Sequence, residues 1–193
     1  MAKPLFLALV FLAGCATSSP NDIPLVWKPE RQHEAPPRAA PADFFKAKVK
    51  VAPMTDSRQN PKLIGENREG PTPKPATTSD DVAAFVTYHF RALLSRAGMT
   101  VVDSGESAII KGDIQQFFVT ETDKYSGEVN IDFLVTDPAG KILWKGMTGG
   151  TSTRTGLSYR AENYYQSLSD ALTIATNGLL RQSDFEAAIA STR

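Results

Sequence analysis

Cysteine occurs once in the 193 residues and histidine twice, while acids and bases balance at 21 each. One cysteine makes neither an internal disulfide nor a thiolate zinc cage. The balanced charge gives no field to gather nucleic acid, and no Lys/Arg run concentrates one locally, so no nucleic-acid partner is expected. Enzyme signatures are missing as well: there is no His-Glu-x-x-His, no Gly-rich loop ending in Gly-Lys-Ser/Thr, and the start of a nucleophile elbow at Gly156-Leu157-Ser158 is broken by Tyr159-Arg160. What remains is enough for one folded domain: 41% hydrophobic residues, ten Phe and two Trp.

The N-terminus carries the strongest pattern. Lys3 precedes an unbroken apolar run from Leu5 to Ala13. That run is too short for the ~20 residues a membrane-spanning helix needs, and it reads as a signal peptide. It leads into Leu12-Ala13-Gly14-Cys15, which resembles the lipobox of bacterial lipoproteins. The resemblance implies cleavage between Gly14 and Cys15, with fatty acyl chains of the palmitate type on the Cys15 sulfur and on the new amino group. One acyl chain anchors marginally, whereas two or more anchor stably. Ala16, standing where inner-membrane lipoproteins typically carry Asp, favours the outer membrane, with the protein facing the periplasm.

The expected domains are a signal peptide over 1–14, an acylated Pro-rich tether over 15–42 and a periplasmic domain over 43–193. Eleven of the thirteen prolines lie between Pro20 and Pro75. A tether of ~27 residues reaches roughly 80 Å fully extended and nearer 30 Å as a coil. Alternation begins at 46–52 and predicts a strand; 53–78 reads as a long loop bearing Asp56-Ser57-Arg58. A helix is predicted over about 79–97, capped by Thr78 or Ser79 and closed by Gly98. Strands follow at 99–102, at 108–121 with Ile110, Ile114 and Phe118 inward, at 127–137, and from Ile142 after the turn Asp137-Pro138-Ala139-Gly140. Helices over about 161–181 and 184–190 end the chain. The order β-α-β-β-β-β-α-α predicts an α+β fold: a mainly antiparallel sheet of about five strands with two long helices on one face.

Chemistry-bearing residues are few. His33 falls in the tether, and His89 on the apolar helix face reads as a core histidine. The pairs Asp103/Glu106 and Glu121/Asp123 read as solvated loops without calcium-loop spacing. No catalytic residue, cofactor or metal is expected. A partner-binding surface is expected where Gly149 and Gly150 meet Tyr159, Tyr164 and Tyr165, joined by Asp56 and Arg58: the glycines admit another backbone, and tyrosine joins apolar area to a hydroxyl.

Val49-Lys50-Val51 leading to Asp56-Ser57-Arg58 and Ile64-Gly65, Leu93-Leu94 through Gly98 into Val101, the middle hairpin, Ala171-Leu172 and Ser183-Asp184-Phe185, together with the lipobox, resemble the YajG-type bacterial lipoproteins. The resemblance implies an outer-membrane lipoprotein with an α+β periplasmic domain and no catalytic residues. The function expected is that of a lipid-anchored accessory protein binding an envelope protein or cell-wall component. Two other classes stay open: a carboxylate-dependent hydrolase of cell-wall or lipid substrate, and a lipid- or glycan-binding lipoprotein.

Overall fold

The structure, a computed structural model, describes residues 22–30 and 42–192; Gly14, Cys15 and His33 lie outside them. In chain order the elements are α1 (Ala42–Lys46), β1 (Lys48–Val51), β2 (Thr55–Asp56), β3 (Leu63–Asn67), β4 (Lys74–Thr77), α2 (Val82–Arg96), β5 (Thr100–Val101), β6 (Ala108–Glu121), β7 (Tyr125–Thr136), β8 (Ile142–Arg154), α3 (Ala161–Leu179) and α4 (Ser183–Ala190). The fold is α+β with a mixed sheet of eight strands, where about five were expected, and with four helices. No helix among the described residues is long and apolar enough to cross a membrane.

β6 is the axis of the sheet. Along one edge it pairs in parallel with β1, β2 and β3, laid end to end. Along the other it pairs antiparallel with β7, which pairs antiparallel with β8. The segment read from sequence as a loop over 53–78 therefore contributes three short strands. They were hidden because β2 and β3 take their register from β6, and β4 takes its from β3, rather than from a pattern of their own. Pro75 falls in β4, which pairs only with β3 and so can accommodate a residue without an amide hydrogen.

The helices cover one face. Phe90 of α2 stacks on Phe133 of β7, and Phe185 of α4 meets Trp144 of β8 and Phe44 of α1 edge-on. α2 is capped by Asp81, whose Oδ1 accepts from the Ala84 N–H at 2.9 Å, rather than by Thr78 or Ser79. Gly98 ends it with φ +92°, and Gly140 closes the β7–β8 turn with its N–H on the Asp137 carbonyl.

Residues 22–30, placed in the tether by the proline density, instead form an extended strap across α2 and α3. Ile23 is 1% exposed. Its N–H donates to the Thr77 carbonyl at 2.7 Å, the Leu25 N–H to Asp80 at 2.7 Å, and the Lys28 and Glu30 N–H groups to Ser169 and Asp170. Ile23, Leu25 and Trp27 alternate inward, and Trp27 lies flat on His89 with ring centroids 4.3 Å apart. Proline suits such a strap: it fixes extended backbone at Pro24 and Pro29, whose missing amide hydrogens alternate with those that bond.

Candidate functional site

The tyrosines expected at a surface divide by burial. Tyr164 is fully buried and donates its hydroxyl to Oε2 of Glu121 at 2.6 Å. Glu121, itself 0% exposed, also takes the Tyr125 hydroxyl (2.6 Å) and the Tyr159 N–H (2.8 Å) on Oε1. Burial, reinforced by the bond to Glu121, pushes the Tyr125 phenol up to about 12, and the same causes raise that of Tyr164. Glu121 thus closes the start of α3 onto the end of the sheet, and it holds Tyr159 at φ +57°, where a non-glycine residue is strained by about 1–3 kcal/mol. The Tyr159 ring is half-buried under Lys74, with Nζ 5.1 Å from its centroid. Tyr165 is half-buried and packs against the core from the far side of α3.

Gly149 and Gly150 point to opposite faces. A Cβ on Gly150 would lie 2.1 Å from the Ala171 carbonyl oxygen and 2.5 Å from the Ala175 nitrogen, so the backbone that approaches here is that of α3 itself. Gly127 does the same beneath Ser167. Between them, Thr148 and Ser152 donate hydroxyls to the Ala175 and Ser167 carbonyls at 2.9 and 2.8 Å. The Gly/Ser/Thr-rich stretch after Met147 is therefore a seat for α3 on its inward residues. Gly149 faces the uncovered side, where Asn130 Oδ1 lies across it, 2.1 Å from where a Cβ would stand.

Asp56 and Arg58 turn inward. Between Asp56, which pairs with Ile114, and Gly65, which pairs with Val119, the chain makes an excursion that leaves part of β6 without a parallel neighbour. Arg58 fills the gap. Its Nε and Nη2 bind both oxygens of Asp56 at 2.8 and 2.6 Å, Nη1 reaches the Leu63 and Phe117 carbonyls at 2.9 and 3.0 Å, and Nη2 also reaches the Pro61 carbonyl at 2.6 Å. The guanidinium lies over Phe117, 5.7 Å from its centroid. The acid and base flagged from sequence stiffen the loop 57–62 and neutralise one another.

Opposite that loop β6 carries a bulge at Gln115, between Ile114 and Gln116 in the register with β7. The bulge turns both glutamines to the uncovered face. It also reverses the inward set beyond it, so that Phe117 is buried and Phe118, expected inward, is half-exposed on the uncovered side. A pocket of about 200 Å³ results, with Gln59 and Asn60 on one wall and Gln115, Gln116 and Phe118 on the other. The polar surface continues across β7: Glu128 accepts from Gln116 Nε2 (3.0 Å) and from Asn130 Nδ2 (2.9 Å), and Asn130 leads to Gly149. Sequence reading missed these amides. The signal was the doublet Gln115-Gln116, which interrupts an otherwise regular alternation.

The carboxylate pairs weighed from sequence are not brought together. Asp103 pairs with Arg91 at 2.6 Å and Glu106 with Lys50 at 3.5 Å, while Glu121 is enclosed and Asp123 accepts from Thr122. His89 lies between Trp27 and Phe85, and burial depresses its imidazole to about 4. A second pocket, about 450 Å³, lies where the strap reaches α3 and β8, with Glu30, Asp170 and Arg154 on its walls. Among the described residues no group of three or more potential metal ligands forms.

No family model matches the sequence, and no curated protein does. The fold, however, recurs. Protein XCC0632 from Xanthomonas campestris, of the DUF330 family, aligns with a TM-score of 0.53 at 12% identity, covering 69% of this chain and 81% of its own. An uncharacterised protein aligns at 0.51 and 8% identity, covering 85% and 98%. A candidate lipoprotein from Caulobacter crescentus CB15 aligns at 0.46 and 13% identity, covering 66% and 91%. At such identities the likeness is one of fold.

Proposed function

We propose that this chain is a lipid-anchored accessory protein of the bacterial outer membrane, facing the periplasm, that binds another envelope component and performs no catalysis of its own. The observation that carries the reading is the asymmetry of the sheet: helices and strap bury one face, while the other presents a rigid polar surface built around the β6 bulge. The lipobox at Leu12–Cys15 supports the anchor, Ala16 the outer membrane, and the resemblance to YajG-type lipoproteins supports both. Against a hydrolase stand the enclosed Glu121, the pairing of Asp103 and Glu106 with bases, and the shielding of His89.

The strap changes the geometry of anchoring. Because Asp22 is already held, its carboxylate accepting from the Ser79 N–H at 2.6 Å, only seven residue steps (22 − 15) separate the acylated Cys15 from the folded domain. The covalent reach is at most roughly 25 Å. The domain works close to its membrane rather than at the end of a long tether.

The test is fractionation of cells expressing the wild type and Cys15→Ser, with labelled palmitate. The wild type should incorporate label and sediment with the outer membrane, and the variant should do neither. A variant that still takes up label would refute the anchor. Hydrolysis of peptidoglycan or lipid esters by the purified chain, abolished by one Asp or Glu substitution, would replace the accessory reading with the hydrolase.

A further inference from the structure

We infer that the pocket at the β6 bulge, with its extension across β7 to Gly149, binds a neutral sugar chain. The inference rests on the accessory reading above and names the chemistry of the component bound. Gln59 and Asn60 on the loop and Gln115 and Gln116 on the bulge line the pocket together with the half-buried Phe118. A carboxamide both donates and accepts, and so does a hydroxyl, so a cluster of amides complements a polyhydroxylated surface in a way that a row of like charges does not. The flat ring supplies an apolar platform for the C–H face of a pyranose.

Charge argues the same way. The one charged group on the pocket wall, Arg58, is neutralised by Asp56 and saturated by three carbonyls. An anionic ligand therefore finds no free cation there. A lipid chain would need an apolar channel, and where α3 lies on β7 and β8 its contact with Gly127 and Gly150 leaves none. The volume of about 200 Å³ accommodates one ring. Beyond it, Glu128 takes one amide hydrogen from each of Gln116 and Asn130, which fixes those side chains in the sheet's uncovered face. Gly149 keeps the path to β8 flat, because any side chain there would displace Asn130. The site thus has one open pocket and a shallow track leading from it, the form suited to a strand of several sugars.

Rigidity favours binding. Arg58 clamps the loop that carries Gln59 and Asn60, and Gln115 donates to Asp113 at 2.8 Å, so little ordering is left for the ligand to impose.

The experiment is titration of the isotope-labelled full mature chain with chitotetraose and, separately, cellotetraose, following the side-chain NH₂ signals by NMR. Saturable millimolar or tighter shifts are expected for the Gln and Asn side chains around Phe118 with at least one of the two sugars. Phe118→Ala should weaken that binding by about tenfold, the effect of losing one stacked ring. Phe118→Tyr should retain it. Gln59→Ala, on an exposed loop and harmless to the fold, should weaken it several-fold. No response to either sugar, or a response unchanged in both Phe118→Ala and Gln59→Ala, overturns the inference. A protein crosslinked to this face together with no sugar response overturns the sugar site while leaving the anchored accessory reading intact.

Discussion

The two faces of the sheet are made from the same three long strands, and they differ in what glycine and small polar residues do. On the covered face Gly127 and Gly150 bring strand and helix backbones into contact, and Thr148 and Ser152 bind carbonyls of α3 that already serve the helix. On the uncovered face Gly149 makes room only for the end of a side chain, and the amides of Gln115, Gln116 and Asn130 bind side-chain carboxylates of the sheet instead of helix backbone. The same residue types thus build a packed joint on one side and an open polar surface on the other. Which role a residue plays is set by its parity along the strand.

The largest effect is expected at the wall between loop and sheet. Removing a buried ionic partner strands the other charge, so Arg58→Ala should cost about 3–5 kcal/mol, read as a lower midpoint in urea denaturation. Next, Gly150→Val places a side chain against the Ala171 and Ala175 backbone, which cannot swing away, and should cost about 3 kcal/mol. Its neighbour is the control: Gly149→Ala meets only the end of the Asn130 side chain, which can swing aside by giving up its bond to Glu128, and should cost about 1 kcal/mol or less. Equal effects at positions 149 and 150 would show that the two faces are not as different as described.

The strap gives an intermediate effect. Trp27→Ala exposes a half-buried ring contact and should cost about 1–2 kcal/mol, less than the value for a fully enclosed Trp. It also has a signature in pH. The His89 imidazole is depressed to about 4 from an ordinary 6.5 by burial, so its contribution to stability is full above pH 6.5 and is lost as pH falls toward 4. Trp27→Ala should raise the His89 pKa toward 6.5 and shift that loss to a narrower window. If His89 already titrates near 6.5 in the intact chain, the strap does not lie on it.

Much of the frame was legible in the sequence. The span of β6 emerged from alternation alone, as did the β7–β8 turn from Asp137-Pro138-Ala139-Gly140 and the end of α2 from Gly98. The failures share a cause. β2 and β3, two and five residues long inside the segment read as a loop, have their pairing dictated by β6 from more than forty residues away, which no local window contains. The strap was masked by proline composition, although Ile23, Leu25 and Trp27 alternate. Phe118 was assigned to the wrong face because a bulge shifts parity, and only the adjacent Gln115-Gln116 hinted at it. Asp56 and Arg58 were noticed for their chemistry, but their direction, inward, depends on the gap in the ladder that Arg58 fills.

The central claim is that the uncovered face is where another envelope component binds. Photoreactive residues placed in living cells at Gln59, Asp132 and Thr151 on that face, and at Ala84 and Tyr88 on the helical side, test it directly. Crosslinks to an envelope component, cell-wall glycan or protein, are expected from the first three positions and none from the last two. Crosslinks from Ala84 and Tyr88 alone would contradict it and move the binding surface to the helices.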